Sequence, residues 1–199
     1  MFGHTMIPLR KFPRLFPIVS SLILVQTVFF ISVLFTGHMS DPHTWVQYGA
    51  IDHLRIDQGE YWRFLISLFL HVNFFQFIFI VFAQYILAPQ LEWLFGKLHF
   101  LLIFLLTGLI GNIGIILFEV DGIQTGASSA IYGLLGVYLY LYARRLMDVM
   151  TGRALLILTV INLLFNFSLL FPHLLALLAG FLLAAMIIMM KQLNQSDED

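Results

Sequence analysis

The stretch LHFLLIFLLTGLIGNIGIILF, Leu98 to Phe118, decides the fold. It contains no Asp, Glu, Lys or Arg, and it matches the ~20 apolar residues that carry a helix across a bilayer. In lipid, a helix is the element that satisfies its own backbone polar groups. Working outward, similar stretches run over Phe64–Leu87 and Phe16–Phe35 on one side. On the other side they run over Gly126–Ala143, Ala154–Phe171 and His173–Met190. Pro172 divides the last two, because proline lacks the N–H that a helix interior needs. The expected fold is all-α: a polytopic membrane protein with a six-transmembrane-helix bundle.

Composition agrees. Of 199 residues, 60% are hydrophobic and 11% charged, with a mean hydropathy of +0.93. A soluble domain carries roughly 25% charged residues. The absence of Cys excludes disulfides, thiol nucleophiles, iron–sulfur clusters and Cys-ligated zinc. A net charge of -1 offers no basic field for nucleic acid.

Placing the amino end in the cytoplasm puts Arg10, Lys11, Arg14, Lys97, Arg144, Arg145, Arg153 and Lys191 on that side. Only Arg55 and Arg63 then lie outside, and these residues exhaust the ten Lys and Arg. That bias obeys the positive-inside rule. The basic lead-in resembles a signal peptide, but the length of the first stretch and its missing cleavage site point to a retained anchor. The expected organisation is a cytoplasmic segment 1–14, a membrane domain 15–191 and a disordered cytoplasmic tail 192–199, in a cell membrane. The outer connection from Thr36 to Arg63 carries Trp45, Tyr48, Tyr61 and Trp62, residue types that favour the headgroup layer. It is expected to lie on the outer leaflet.

Ionisable groups inside hydrocarbon are functional candidates. The spans hold no Asp, which removes an aspartyl mechanism. No His-Glu-x-x-His occurs, which removes the commonest zinc-protease signature, so no metal or other cofactor is expected. His4, His38, His43 and His53 belong to wet segments, and His99 to a cytoplasmic helix edge. His71 opens the second span and His173 the sixth, both on the outer side. The fourth span also begins outside, with Gly126-Ala127-Ser128-Ser129-Ala130-Ile131-Tyr132-Gly133. Ser128 and His173 therefore start parallel helices at similar depth. His173, Ala176 and Gly180 share one face, as do Ser129 and Gly133, and small residues let membrane helices approach closely. A close crossing would bring the imidazole to the hydroxyl, with Tyr132 beneath it. A serine needs such a base to become a nucleophile. Spacing and topology leave two readings open: a catalytic pair, or a small-residue packing seam beside an interfacial histidine. Tyr132 is equally read as core packing, and Asn112, Asn162 and Asn166 as interhelical hydrogen-bond partners.

From about Glu60 to Ala184 these residues resemble the rhomboid intramembrane serine proteases. Gly126-Ala-Ser128-Ser-Ala-Ile-Tyr132-Gly133 is similar to the family's Gly-x-Ser-Gly segment. His173 with Gly180 is similar to its His-x-x-Gly-x-x-x-Gly segment, with Ala176 in place of the first Gly. Trp62-Arg63, Glu92 and Gly96 match further family positions. The resemblance implies a Ser128–His173 dyad with no third acid. It also implies an oxyanion and substrate pocket involving His71, Gln76, Gly126 and Tyr132, opened by movement of the fifth helix and the outer loop. The implied partners are transmembrane segments of substrate proteins in the lipid bilayer. Where the family has His, His and Asn along its second helix, this chain has His71, Gln76 and Ile80. Ile80 donates nothing, and losing one oxyanion donor typically costs about 10²–10³ in rate. Ser129 replaces the Gly that follows the nucleophile and is expected to crowd it. Slow or narrowly selective proteolysis is expected. A non-catalytic scaffold that binds membrane clients is the alternative.

Overall fold

The computed structural model describes residues 10–36 and 41–196. His4, His38 and Asp197 to Asp199, placed above in wet segments, lie outside the described residues.

Among the described residues six apolar helices of 17 residues or more form the bundle: α1 Pro17–Thr36, α2 Phe74–Phe95, α3 Lys97–Leu117, α4 Ala127–Ala143, α5 Val149–Phe165 and α6 Leu170–Ser196. Among the described residues α1, α2, α3 and α6 are long and apolar enough to cross a membrane, while α4 and α5 are shorter apolar helices. The chain is thus a helical multi-pass membrane protein.

The centre is α4. Almost every residue from Ala127 to Leu141 is buried, as expected of a helix that is apolar all round. It packs on α6 at backbone distance and on α3 through small side chains. A Cβ at Gly180 would overlap the Gly133 carbonyl, and one at Gly136 the Leu177 carbonyl. Thr107 of α3 occupies the notch at Gly133. Glycine is required at these positions because no side chain fits between the helices.

Polar clasps fix the rest. The buried Glu92 of α2 accepts from the Ile18 and Val19 N–H groups at 3.1 and 2.9 Å. This places a carboxylate at the positive end of α1. Tyr138 of α4 donates to the Leu87 carbonyl at 2.7 Å. In the outer loop the buried Arg63 donates to the Val46 and Ala50 carbonyls at 2.6 and 3.1 Å and to Glu60 at 2.8 Å. Its guanidinium also lies 4.7 Å from the Trp62 ring centre.

Three boundaries differ from the hydropathy reading. The second span does not start at Phe64. Arg63–Ile66 and Ser67–Phe69 form single turns, Leu70 is extended, and Asn73 caps α2 by accepting from the Gln76 N–H. His71 therefore precedes the helix rather than opening it. The fifth and sixth helices part at Asn166–Leu169, before Pro172, which sits in the first turn of α6. First-turn N–H groups have no partner within the helix, so proline is harmless there. The tail expected to be disordered from Gln192 continues as helix to Ser196.

Candidate active site

Two first turns build the site. Gly126 precedes α4 and contributes no side-chain cap, so the N–H groups of Ala127 and Ser128 lack an acceptor within the helix. His173 stands in the first turn of α6. Because α4 and α6 cross at their glycines, Ser128 Oγ lies 3.0 Å from His173 Nε2. His173 is 1% exposed, while Ser128 is half-buried. The Tyr132 ring stacks on the imidazole, with centroids 3.9 Å apart and planes at 16°. For the hydroxyl to donate to Nε2, the ring proton must sit on Nδ1, an atom with no hydrogen-bond partner among the described residues.

The turn before α4 is held from outside and inside. Ile51 and Gln124 exchange backbone hydrogen bonds of 2.8 and 2.9 Å, tying the outer loop to the segment that leads to Ser128. His53 Nε2 meets the Val120 carbonyl at 3.0 Å. From inside, the Gly126 N–H donates to the Ser67 carbonyl at 3.0 Å. Asn112 Nδ2 donates to the Phe64 carbonyl and to Ser67 Oγ, both at 2.9 Å. Its amide fills the space where a Cβ on Gly126 would sit. The sequence marks Asn112 only as one interhelical partner among three. An amide in a span preceding a serine-bearing turn was the available signal for a closer role. Asn162 and Asn166 differ: their side-chain N–H groups donate to the Leu158 and Asn162 carbonyls one turn back on α5.

The remaining candidates spread around this pair. Gln76 Oε1 accepts from the Val72 N–H at 2.7 Å, and its Nε2 lies 3.5 Å from Thr125 Oγ1, beside Gly126. Ile80, one turn further along α2, is buried and brings no donor. His71 is also buried and packs edge-on against Phe77 at 5.4 Å. Neither a hydrogen bond nor a ring contact joins it to Ser128 or His173 among the described residues. Ser129 faces the notch at Gly111 and Ala176, between α3 and α6. No three His, Cys, Asp or Glu side chains gather as a metal site among the described residues.

The family comparison fits this architecture. Residues 58–190 match the model of the Rhomboid domain. The chain is 31% identical over 190 residues to the Bacillus subtilis (strain 168) protein named "Putative rhomboid protease YdcA", covering 92% of this chain and 94% of that one. It is 33% identical over 148 residues to the rhomboid protease GluP of the same organism, covering 73% of this chain and 29% of GluP. Against rhomboid-like protease 1 of Toxoplasma gondii, identity is 36% over 93 residues, covering 46% and 32% respectively. GluP and the Toxoplasma protein are thus much longer than the region they share with this chain. The helical bundle, the domain match and the near full-length relative together place the chain in the rhomboid family, a family of intramembrane proteases.

Proposed function

We propose that the chain is an intramembrane serine endopeptidase that cuts transmembrane or juxtamembrane segments of membrane proteins. The observation that carries this reading is the 3.0 Å contact between Ser128 Oγ and His173 Nε2. His173 takes the hydroxyl proton as Ser128 attacks a substrate carbonyl, then returns it to the leaving amine. Water, activated by the same imidazole, hydrolyses the acyl-enzyme. The Ser128 N–H at the start of α4 faces the developing oxyanion, a task suited to a helix N-terminus, and Gln76 Nε2 is the remaining side-chain donor. Tyr132 fixes the imidazole plane by stacking, Gly126 lets the chain turn tightly against Asn112, and His71 closes the pocket wall beside Phe77. The membrane domain spans 15–191, with both termini cytoplasmic and the site opening to the extracytoplasmic face of the cell membrane. The distribution of Lys and Arg supports this orientation.

Ile80 favours a second reading, a rhomboid-like scaffold that binds membrane clients without cutting them, because the site then lacks one donor. Reaction of the purified protein with a fluorophosphonate probe separates the two. Labelling of the native chain, lost in Ser128→Ala and in His173→Ala, supports the protease. Labelling that survives Ser128→Ala rejects it.

A further inference from the structure

Away from the Ser128–His173 pair, at the opposite end of the bundle, a cavity of about 280 Å³ opens between α3 and α6. Its walls include Leu102 and Leu106 of α3 with Leu183 and Met186 of α6, and its rim carries His99 and Lys191. Among the described residues the lining contains no Asp or Glu. Leu102, Leu106 and Met186 are 45%, 40% and 48% exposed, so the groove faces the bilayer rather than another part of the chain.

We propose that this groove binds an anionic phospholipid, with the acyl chain between α3 and α6 and the phosphate at Lys191 and His99. Three features point to that occupant rather than to a second protein. The helices are membrane-embedded, so lipid tails are the apolar partner always present. A rim that carries the Lys191 cation and the His99 imidazole beside an apolar slot matches a phosphodiester joined to a hydrocarbon chain, and basic pockets between transmembrane helices are a recurrent site for acidic headgroups. Lys191 can reach the headgroup layer while its methylene stem lies along the groove. The first turn of α3 adds to the positive field, since Gly96 supplies no side-chain cap. A neutral lipid fits the slot equally but gains less from the rim. The site is independent of the proposed proteolysis.

The test is lipid retention by the full-length protein in detergent, counted by native mass spectrometry. Phosphatidylglycerol and phosphatidylcholine with the same acyl chains are titrated separately, with inorganic phosphate as a third ligand. Tighter binding of phosphatidylglycerol is expected. Lys191→Gln should weaken it about fivefold and leave phosphatidylcholine unchanged. Arg153→Gln, at the same end of the bundle but outside the groove, should leave both unchanged, and Leu106→Trp should weaken both by filling the slot. Equal affinity for the two lipids overturns the proposal. So does equal loss in Lys191→Gln and Arg153→Gln, or phosphate binding as tightly as phosphatidylglycerol.

Discussion

Helices α4 and α5 have the same length, 17 residues, and similar apolar character, yet they are used in opposite ways. Only Gly152 and Thr159 are buried in α5, whereas α4 is enclosed nearly throughout. The enclosed helix carries Ser128 and meets His173. The open helix carries neither and exposes Ile157, Val160 and Leu164. Hydropathy alone does not separate two such helices, because side chains facing lipid and side chains facing protein are equally apolar. The difference comes from glycine. Gly133 and Gly136 let α4 meet α6 backbone to backbone, while Gly152 of α5 merely receives the Tyr142 ring.

The sharpest way to break this contrast is to thicken the α4–α6 crossing. Gly180→Leu places a side chain against the Gly133 carbonyl. It should destabilise the bundle by about 3 kcal/mol, read as a lower midpoint of thermal unfolding in micelles, with probe labelling of Ser128 lost. If the midpoint holds, the two backbones are not in contact. Next in size is a change that keeps the packing and alters the chemistry. Replacing Gln76→His and Ile80→Asn together supplies two side-chain donors on α2. Cleavage of a model transmembrane substrate should then rise about 10²-fold, and an unchanged rate would remove the oxyanion argument while leaving the pair intact.

A third substitution probes the open helix. Ile161→Ala on α5 trims a side chain that is 45% exposed. The unfolding midpoint should move by no more than about 0.5 kcal/mol equivalent, while the turnover of a membrane substrate changes, if α5 is the element that moves to admit it. An unfolding shift as large as that of Gly180→Leu would mean that α5 belongs to the rigid core and that the contrast is false.

These outcomes bear on how much the sequence itself disclosed. The depth shared by Ser128 and His173 follows from orientation plus helical direction, and the His173–Ala176–Gly180 spacing anticipated a close crossing. Two things escaped. The segment Phe64–Leu70 is apolar enough to pass for the start of a span, but Leu68 packs into the helical core at the Gly108 notch of α3 and Leu70 is buried against Trp45 and Ala50 of the outer loop, and the Asn73 cap begins the helix later. Apolar content does not specify which neighbour does the covering. The role of Asn112 was hidden for a related reason: its partners, Phe64 and Ser67, lie more than forty positions away in the chain, and no helical period connects them.

The smallest expected effect concerns the outer loop, which is tied to the enclosed half of the molecule. Arg63 hydrogen-bonds Glu60 and anchors the loop through the Val46 and Ala50 carbonyls, and Ile51 pairs with Gln124 ahead of α4. The hydrogen bond from Arg63 holds the Glu60 carboxyl below its ordinary value of 4.5. A carboxyl depressed on folding contributes stability that is present above the unfolded value and lost as pH falls through the folded one. The loop should therefore stay closed from pH 8 down to about 5 and loosen only below the ordinary carboxylate range. Hydrogen exchange over residues 41–63 reads this directly: protection should fall at acid pH in the native chain, and Glu60→Gln should show the lower protection already at pH 7. Because α5 contributes nothing to this cluster, exchange along 149–165 should not follow the same pH dependence. If it does, loop and α5 open as one unit, and the division between an enclosed half and an exposed helix has to be redrawn to put the outer loop with α5.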